Sequence, residues 1–64
     1  MKKDVIERYL NEYVILFLNN NLKFTGHIVE IFDDSIVFID KFQKQIVISS
    51  SEITLIQPAE NLKR

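Results

Sequence analysis

The sequence has no cysteine, one histidine, one glycine and one proline among its 64 residues. Without cysteine it cannot form disulfide bonds or the usual structural zinc sites. His27 is a lone nitrogen donor and therefore a poor metal site, so we expect it to be a partly exposed strand residue. The lack of a cysteine, a histidine pair and a glycine-rich loop argues against an enzyme. We therefore predict a non-catalytic protein that uses no metal and no cofactor.

Long apolar runs are missing as well. The first ten residues, MKKDVIERYL, place acids and an arginine where a signal peptide needs an uninterrupted apolar segment. No stretch reaches the roughly 18 consecutive apolar residues that a membrane-spanning helix needs. We expect a cytoplasmic protein with no membrane partner.

Positive charge is scarce in the middle of the chain. The sequence has 8 basic and 9 acidic residues, and five of the 8 bases lie in the first eight or the last two residues. Residues 9–62 therefore hold three bases, Lys23, Lys41 and Lys44, against seven acids. Any binding of nucleic acid cannot depend on overall charge.

The small size of the chain predicts self-association. Folding at this length buries only roughly 60% of the surface that the unfolded chain exposes, so an isolated monomer is marginally stable. Disulfides and structural zinc are excluded, which leaves partner subunits as the remaining source of stability. The 47% hydrophobic content supplies surface to bury between copies. We predict a homo-oligomer.

A short helix is predicted over residues 4–11. Asp4 and Glu7 have the spacing of a capping box, in which each would satisfy backbone N–H groups at the start of the helix. Apolar side chains then recur at helical spacing, which predicts an amphipathic helix that covers one end of the domain. They are Val5, Ile6, Tyr9, Leu10 and Tyr13. Asn11 is the predicted stop.

The rest of the chain predicts five short strands, at residues 13–18, 23–32, 35–39, 45–49 and 53–57. The asparagines at 19–21 favour a tight turn because asparagine tolerates left-handed backbone angles. Gly26 lets the long second strand bend and lets another backbone approach it. Pro58 ends the last strand because it has no N–H to donate. We predict one domain over 1–64, a small closed SH3-like barrel at 13–58 with a frayed tail at 59–64.

Two polar clusters each permit more than one interpretation. Asp33 and Asp34 could form a hard-cation site or an acid–base pair, but adjacent turn aspartates more often cap local backbone N–H groups. The serines at 49–51 lie beside Glu52 and so have the atoms of a nucleophile and a base. Nothing in the sequence supplies an oxyanion site, and a turn or a polar pore lining is favoured.

Three segments carry a family resemblance. They are FLNNNLKFTG at 17–26, IFDDSIVFI at 31–39 and IVISSSEITLIQP at 46–58. The first segment follows a family's order of an aromatic, a leucine, a turn, an apolar-lysine-apolar triplet and a glycine. The second follows that family's phenylalanine-aspartate pair before a strand. The third follows its two last strands, which end at a proline. This arrangement is similar to the Sm-like proteins, and within them to the Hfq family of bacterial RNA chaperones.

The resemblance implies an Sm-like fold and a ring of identical subunits, which is a hexamer in the Hfq family. The ring would close by pairing the fourth strand of one copy with the fifth strand of the next, which covers edges that otherwise invite uncontrolled pairing. It also implies single-stranded RNA as the partner.

The resemblance further implies an RNA-binding face away from the helix. The family presents its contacts to adenine-rich RNA at positions that here are Phe17, Asn21, Leu22, Lys23, Phe24 and Thr25. An aromatic such as Phe17 can stack on a base for about 1–3 kcal/mol without net positive charge. Ordinary core or subunit packing is the alternative for the apolar members of this set, and it is favoured for Leu22 and Phe24.

The pore of the family is poorly matched. Ser50 and Ser51 lie in the connector where the family carries its basic pair, and Asp34 and Ser35 replace a glutamine and a base-stacking aromatic. These four residues are possible pore contacts, and Arg8 is the one counterpart of the basic rim. The departures argue against uridine binding at the pore.

The sequence thus predicts an Hfq-like ring that binds single-stranded, A- or purine-rich RNA. The alternative is an Sm-fold assembly or protein-binding module that has lost RNA binding. The acidic middle of the chain and the missing pore bases favour this alternative.

Overall fold

The structure is a computed structural model that describes residues 1–59. One short helix precedes five strands, and a single turn of 3-10 helix joins the last two strands. The elements are α1 (Lys3–Glu7), β1 (Tyr13–Leu18), β2 (Lys23–Ile31), β3 (Ser35–Asp40), β4 (Gln45–Ser49) and β5 (Ile53–Pro58), with the 3-10 turn at Ser50–Glu52. The predicted strands are all present, with ends that differ by at most one residue.

The helix is shorter than predicted and has a different start. It ends at Glu7, and Lys2 rather than Asp4 is the N-cap, with no side-chain cap hydrogen bond, so the predicted capping box is wrong. The chain continues as tight turns, such as Tyr9 N–H to Ile6 O at 2.9 Å. Asn11 then takes a left-handed φ of 65° and donates its N–H to Ile28 O. The turn at Asn11 and its hydrogen bond to Ile28 O therefore attach this segment to the sheet, where the predicted helix would have continued.

All five strands form one antiparallel sheet in the order β4-β3-β2-β1-β5. Within residues 1–59, β4 pairs with β3 and β5 pairs with β1, and these two outer strands do not pair with each other. The strands therefore form the predicted bent barrel, but within one chain it is not closed between β4 and β5. The bent sheet instead leaves two free edges.

The core lies inside the bend of the sheet. Alternate residues of β1, β3 and β4 point inward, since residues two apart along a strand share a face, whereas register shifts interrupt the alternation in β2 and β5. The helix contributes Ile6, which is fully buried, whereas Val5 and Leu10 of the predicted apolar face are exposed. The buried cluster is Ile6, Val14, Leu16, Ile28, Ile36, Phe38, Ile48, Ile53 and Ile56.

Gly26 allows close contact between β2 and β3, as its position predicted. A Cβ atom at this position would lie 2.0 Å from the backbone oxygen of Ile39. The bend itself has a second cause, because the register between β2 and β3 shifts between Ile28 and Glu30. This irregularity leaves one extra residue in β2, which increases twist and curvature.

A tight turn and a long-range hydrogen bond hold two of the strand ends. Asn21 has a φ of 69°, and Asn20 Oδ1 accepts the Leu22 N–H at 3.1 Å, as expected for asparagines in a tight turn. At the other end of the chain, Ala59 is buried and donates its N–H to Tyr13 O at 3.0 Å. The predicted frayed tail is therefore wrong at Ala59, and the rest of that prediction, 60–64, lies outside the described residues.

In the described part of the chain, no helix is long and apolar enough to cross a membrane.

Candidate nucleic-acid interface

The first turn and the start of β2 form an open groove on the outer face of the sheet. The groove has a volume of about 490 Å³ and is lined by Phe17, Leu18, Asn21, Leu22, Lys23, Thr54 and Leu55. Four of the six residues predicted for the RNA-binding face, at 17 and 21–23, therefore lie together. We call this depression the face groove.

Strand register explains why these side chains meet. Phe17 on β1 lies opposite Lys23 on β2 and opposite Leu55 on β5, so the three side chains share one face. Phe17 is half-buried between them, while Leu22 and Leu55 are 52% and 51% exposed. The groove thus has an apolar floor that stays open to solvent.

The side chain of Lys23 supplies the positive charge of the face groove. Its Nζ lies 6.0 Å from the centroid of the Phe17 ring, at the limit of a cation–π contact. The hydroxyl of Thr54 donates to Phe17 O at 3.0 Å, which ties β5 to β1 beside the groove. An aromatic ring beside a cation is an arrangement that can bind a base and its phosphate together.

The other two predicted face residues, Phe24 and Thr25, lie in a neighbouring depression. Phe24 is half-buried and packs against the core, in agreement with the packing interpretation. The carbonyl of Thr25 accepts the Lys41 N–H at 2.8 Å. Lys23 lines both depressions.

Three of the predicted pore residues, Asp34, Ser50 and Ser51, line a separate depression, whereas Ser35 and Arg8 do not. It is lined by Met1, Lys2, Asp33, Asp34, Ser49, Ser50 and Ser51. Ser50 is only 6% exposed, so its hydroxyl, which lacks a hydrogen-bond partner among the described residues, does not face solvent. Ser49 and Ser51 instead hydrogen-bond each other through their hydroxyls at 3.0 Å. Ser35 begins β3, and Arg8 is exposed at the end of the helix.

The sequence favours local backbone capping by the carboxylates of Asp33 and Asp34, and the structure shows different partners for both residues. Asp33 Oδ1 accepts from Lys3 Nζ at 3.1 Å, and Asp34 uses its backbone carbonyl to accept the Ser50 N–H. Across residues 1–59, no three His, Cys, Asp or Glu side chains are grouped closely enough to hold a metal ion. His27 is exposed on β2 with its ring 5.1 Å from that of Tyr13, as expected for a strand residue.

Sequence reasoning missed the β5 side of the face groove. Thr54 and Leu55 of β5 line it, together with Leu18 at the end of β1, and none of the three is in the predicted site. Leu55 pairs with Phe17, but strict alternation from the buried Ile53 would point it inward. It faces outward because the register shifts between Phe17 and Leu18, and no local signal in the sequence reveals that shift.

Comparison with known proteins bears on the fold. No family model and no curated protein matches the sequence. Among solved structures, the chain is similar to a crystal structure of the pleiotropic translational regulator Hfq, with a TM-score of 0.74 and 20% sequence identity. The match covers 84% of this chain and 92% of that chain. The chain therefore has the Sm-like fold of Hfq, a bent five-stranded antiparallel sheet with a short N-terminal helix, which confirms the predicted fold class.

Proposed function

We propose that this chain forms a homohexameric ring that binds single-stranded, A- or purine-rich RNA, as an Hfq-like protein. The observation that carries the proposal is the face groove, which combines the half-buried ring of Phe17 with the exposed Leu22 and the cation of Lys23. The Sm-like fold, which is similar to that of a translational regulator, also supports the proposal.

The free edges of the sheet support assembly. β4 and β5 each have one unpaired side within residues 1–59, and each carries a large exposed apolar residue, Val47 at 65% and Leu55 at 51%. Unpaired strand edges bind other strands readily, and pairing β4 of one copy with β5 of the next would close a ring without a free edge. Burial of Val47 between copies would contribute up to about 1.5–3 kcal/mol, whereas Leu55 stays open as part of the face groove.

Stacking suits the chemistry of the face groove better than charge does. A base of single-stranded RNA can lie on the Phe17 ring, and the adjacent Lys23 can approach its phosphate. This mode needs little overall positive charge, in keeping with a net charge of −1 for the chain. Purines present the larger π-face and so gain more from stacking.

Repetition around a ring supplies the remaining affinity. Each copy would offer one weak groove, and a single RNA strand that crosses several grooves binds with a high effective concentration at each successive site. The protein would act by holding RNA strands, and no covalent step is required. Arg8, Asp34, Ser35, Ser50 and Ser51 stay candidates for contacts at the pore or rim, with Ser50 the weakest because its side chain is buried.

The experiment measures subunit number and RNA affinity together. Light scattering should give a ring mass, and labelled oligoadenylate should bind more tightly than oligouridylate of equal length, with affinity that falls as salt rises. Phe17→Ala should weaken oligoadenylate binding about fivefold or more, since a base stack contributes about 1–3 kcal/mol. Phe32→Ala removes an exposed aromatic outside the face groove and is the matched control.

A second candidate is a ring of the same fold that binds protein or only assembles. It is favoured by the serines at 49–51, which stand where the resembled family carries its basic pair, and by the acidic balance of residues 9–62. A stable ring that binds neither oligoadenylate nor oligouridylate at low salt would overturn the RNA proposal and leave this candidate. A monomer that binds neither would overturn both.

A further inference from the structure

The depression next to the face groove has features that the predicted RNA site does not use. It is lined by Lys23, Phe24, Thr25, Asp40, Lys41 and Phe42, with a volume of about 150 Å³. Lys41 and Phe42 belong to the hairpin loop between β3 and β4. Because Lys23 lines both depressions, the two are adjacent.

Phe42 is exposed to an extent that folding does not require. It is 72% exposed, the highest value for a large hydrophobic side chain within residues 1–59. The turn itself depends on other groups, since Gln43 takes the left-handed φ of 66° and Asp40 supplies the acceptor oxygen. An aromatic ring presented to solvent, at a position that needs none, is a candidate binding residue.

The hairpin holds this ring in a defined place. Asp40 Oδ1 accepts the N–H groups of Phe42 and Lys44, both at 2.9 Å. The Lys41 N–H donates to Thr25 O at 2.8 Å, which attaches the loop to β2 beside the face groove. The backbone that carries Phe42 is therefore ordered before any ligand arrives, which reduces the entropy cost of binding.

Charge around the hairpin is complementary to a polyanion. The three bases of residues 9–62 are Lys23, Lys41 and Lys44; the first two line this depression and the third lies on the same hairpin. The carboxylate that lines it, Asp40, already accepts two backbone N–H groups. The scarce positive charge of the middle of the chain is thus concentrated here.

The same pair of residue types occurs at both depressions. Lys41 Nζ lies 5.5 Å from the centroid of the Phe42 ring, as Lys23 Nζ lies 6.0 Å from that of Phe17. In each case an accessible ring has a cation beside it, which suits a base with its phosphate.

We infer that Phe42 and Lys41 form a second base-stacking site, so that single-stranded RNA leaves the face groove past Lys23 and continues over the β3–β4 hairpin. This inference rests on the proposed function, because the first site on the path is Phe17. One base stacks on Phe42, and the phosphate between the two stacked bases lies between Lys23 and Lys41.

The test compares oligoadenylate binding by four full-length proteins, namely the native chain and the variants Phe42→Ala, Phe42→Trp and Phe32→Ala. Phe42→Ala should weaken binding roughly 5- to 150-fold, the range expected when one base stack is lost. Phe42→Trp keeps a π-face and should bind at least as tightly as the native protein. Phe32→Ala should leave affinity unchanged. Light scattering on each protein should give the same mass, because Phe42 is mostly exposed.

The outcomes separate this inference from the proposed function. If Phe17→Ala weakens binding and Phe42→Ala does not, the hairpin site is wrong and the face groove stands. If the native ring binds no RNA, the proposed function fails and the inference fails with it. If Phe42→Ala changes the subunit number, Phe42 is a contact between copies, and a stacking role is overturned.

Discussion

Gly26 shows how one residue can decide the shape of a small sheet. It lies opposite Val14 on β1 and Asp40 on β3, so both neighbouring strands pass close to it. A Cβ atom here would meet the Ile39 oxygen at 2.0 Å and the Asp40 Cα at 2.7 Å. Both are backbone atoms, which cannot turn away as a flexible side chain can. Only glycine permits this spacing.

Gly26→Ala should therefore destabilise the protein severely. We expect the free energy of unfolding to fall by about 3 kcal/mol or more, because β3 must move away from β2. Urea unfolding at fixed protein concentration measures the change. Glu30→Ala, at an exposed position on the same strand, is the control and should change stability by less than about 0.5 kcal/mol. Equal effects of the two substitutions would show that the close approach is absent in solution.

The β3–β4 hairpin is the element that carries most of the exposed aromatic and basic character of the middle of the chain. Its geometry comes from Asp40, whose side chain accepts two N–H groups and whose backbone N–H and carbonyl pair with Lys44 and Gln43. A single carboxylate thus sets the loop that positions Phe42.

Asp40→Ala should loosen this hairpin. Two exposed hydrogen bonds to a charged acceptor are lost, and we expect a cost of about 1–2 kcal/mol in the free energy of unfolding. Asp40→Asn keeps an oxygen acceptor at the same place and should cost less than half as much. Thermal and urea unfolding of the two variants make the comparison. Matching losses would mean that the charge, rather than the acceptor geometry, holds the loop.

The helix illustrates why element boundaries are hard to predict. Asp4 and Glu7 have capping-box spacing, yet the helix starts one residue before Asp4 and ends at Glu7. A helix of five residues has too few internal hydrogen bonds to set its own limits. Burial of Ile6 and the bond from Asn11 to Ile28 O fix it instead. Both contacts lie beyond the reach of a local pattern.

At the scale of the whole molecule, the open sheet is the dominant feature. A chain of this size has little core, and its two sheet edges expose apolar side chains that a single copy cannot bury. A ring that pairs edge with edge resolves both problems, and it would repeat the face groove and the hairpin site in each copy.

Val47→Asp tests the ring at its edge. A charge on β4 should block strand pairing between copies and lower the mass measured by light scattering, whereas the fold of one subunit tolerates it because Val47 is 65% exposed. Val29→Asp places the same charge at an exposed position on an inner strand and should leave the mass unchanged. A Val47→Asp protein with the mass of the native assembly would exclude β4 as a subunit contact.

Much of the candidate site could be predicted from the sequence, for a local reason. Residues 17 and 21–23 flank one tight turn, so they stay close however the rest of the chain packs. The opposite wall, Leu55, comes from a strand more than thirty residues away. Lys41 and Phe42 likewise lie beside β2 because β3 pairs with β2, with Asp40 opposite Gly26 and the Lys41 N–H bonded to Thr25 O. Such long-range neighbours depend on register, which a single sequence does not specify.

The sequence by itself determined the strands, their turns and the fold class, because alternating apolar residues and asparagine or glycine positions act over short distances. Only the tertiary structure decided three other matters: the sheet stays open between β4 and β5, Ser50 is buried rather than available to a pore, and Phe42 lies beside Lys23. Each depends on how distant segments share space, and that is set by burial of one common core.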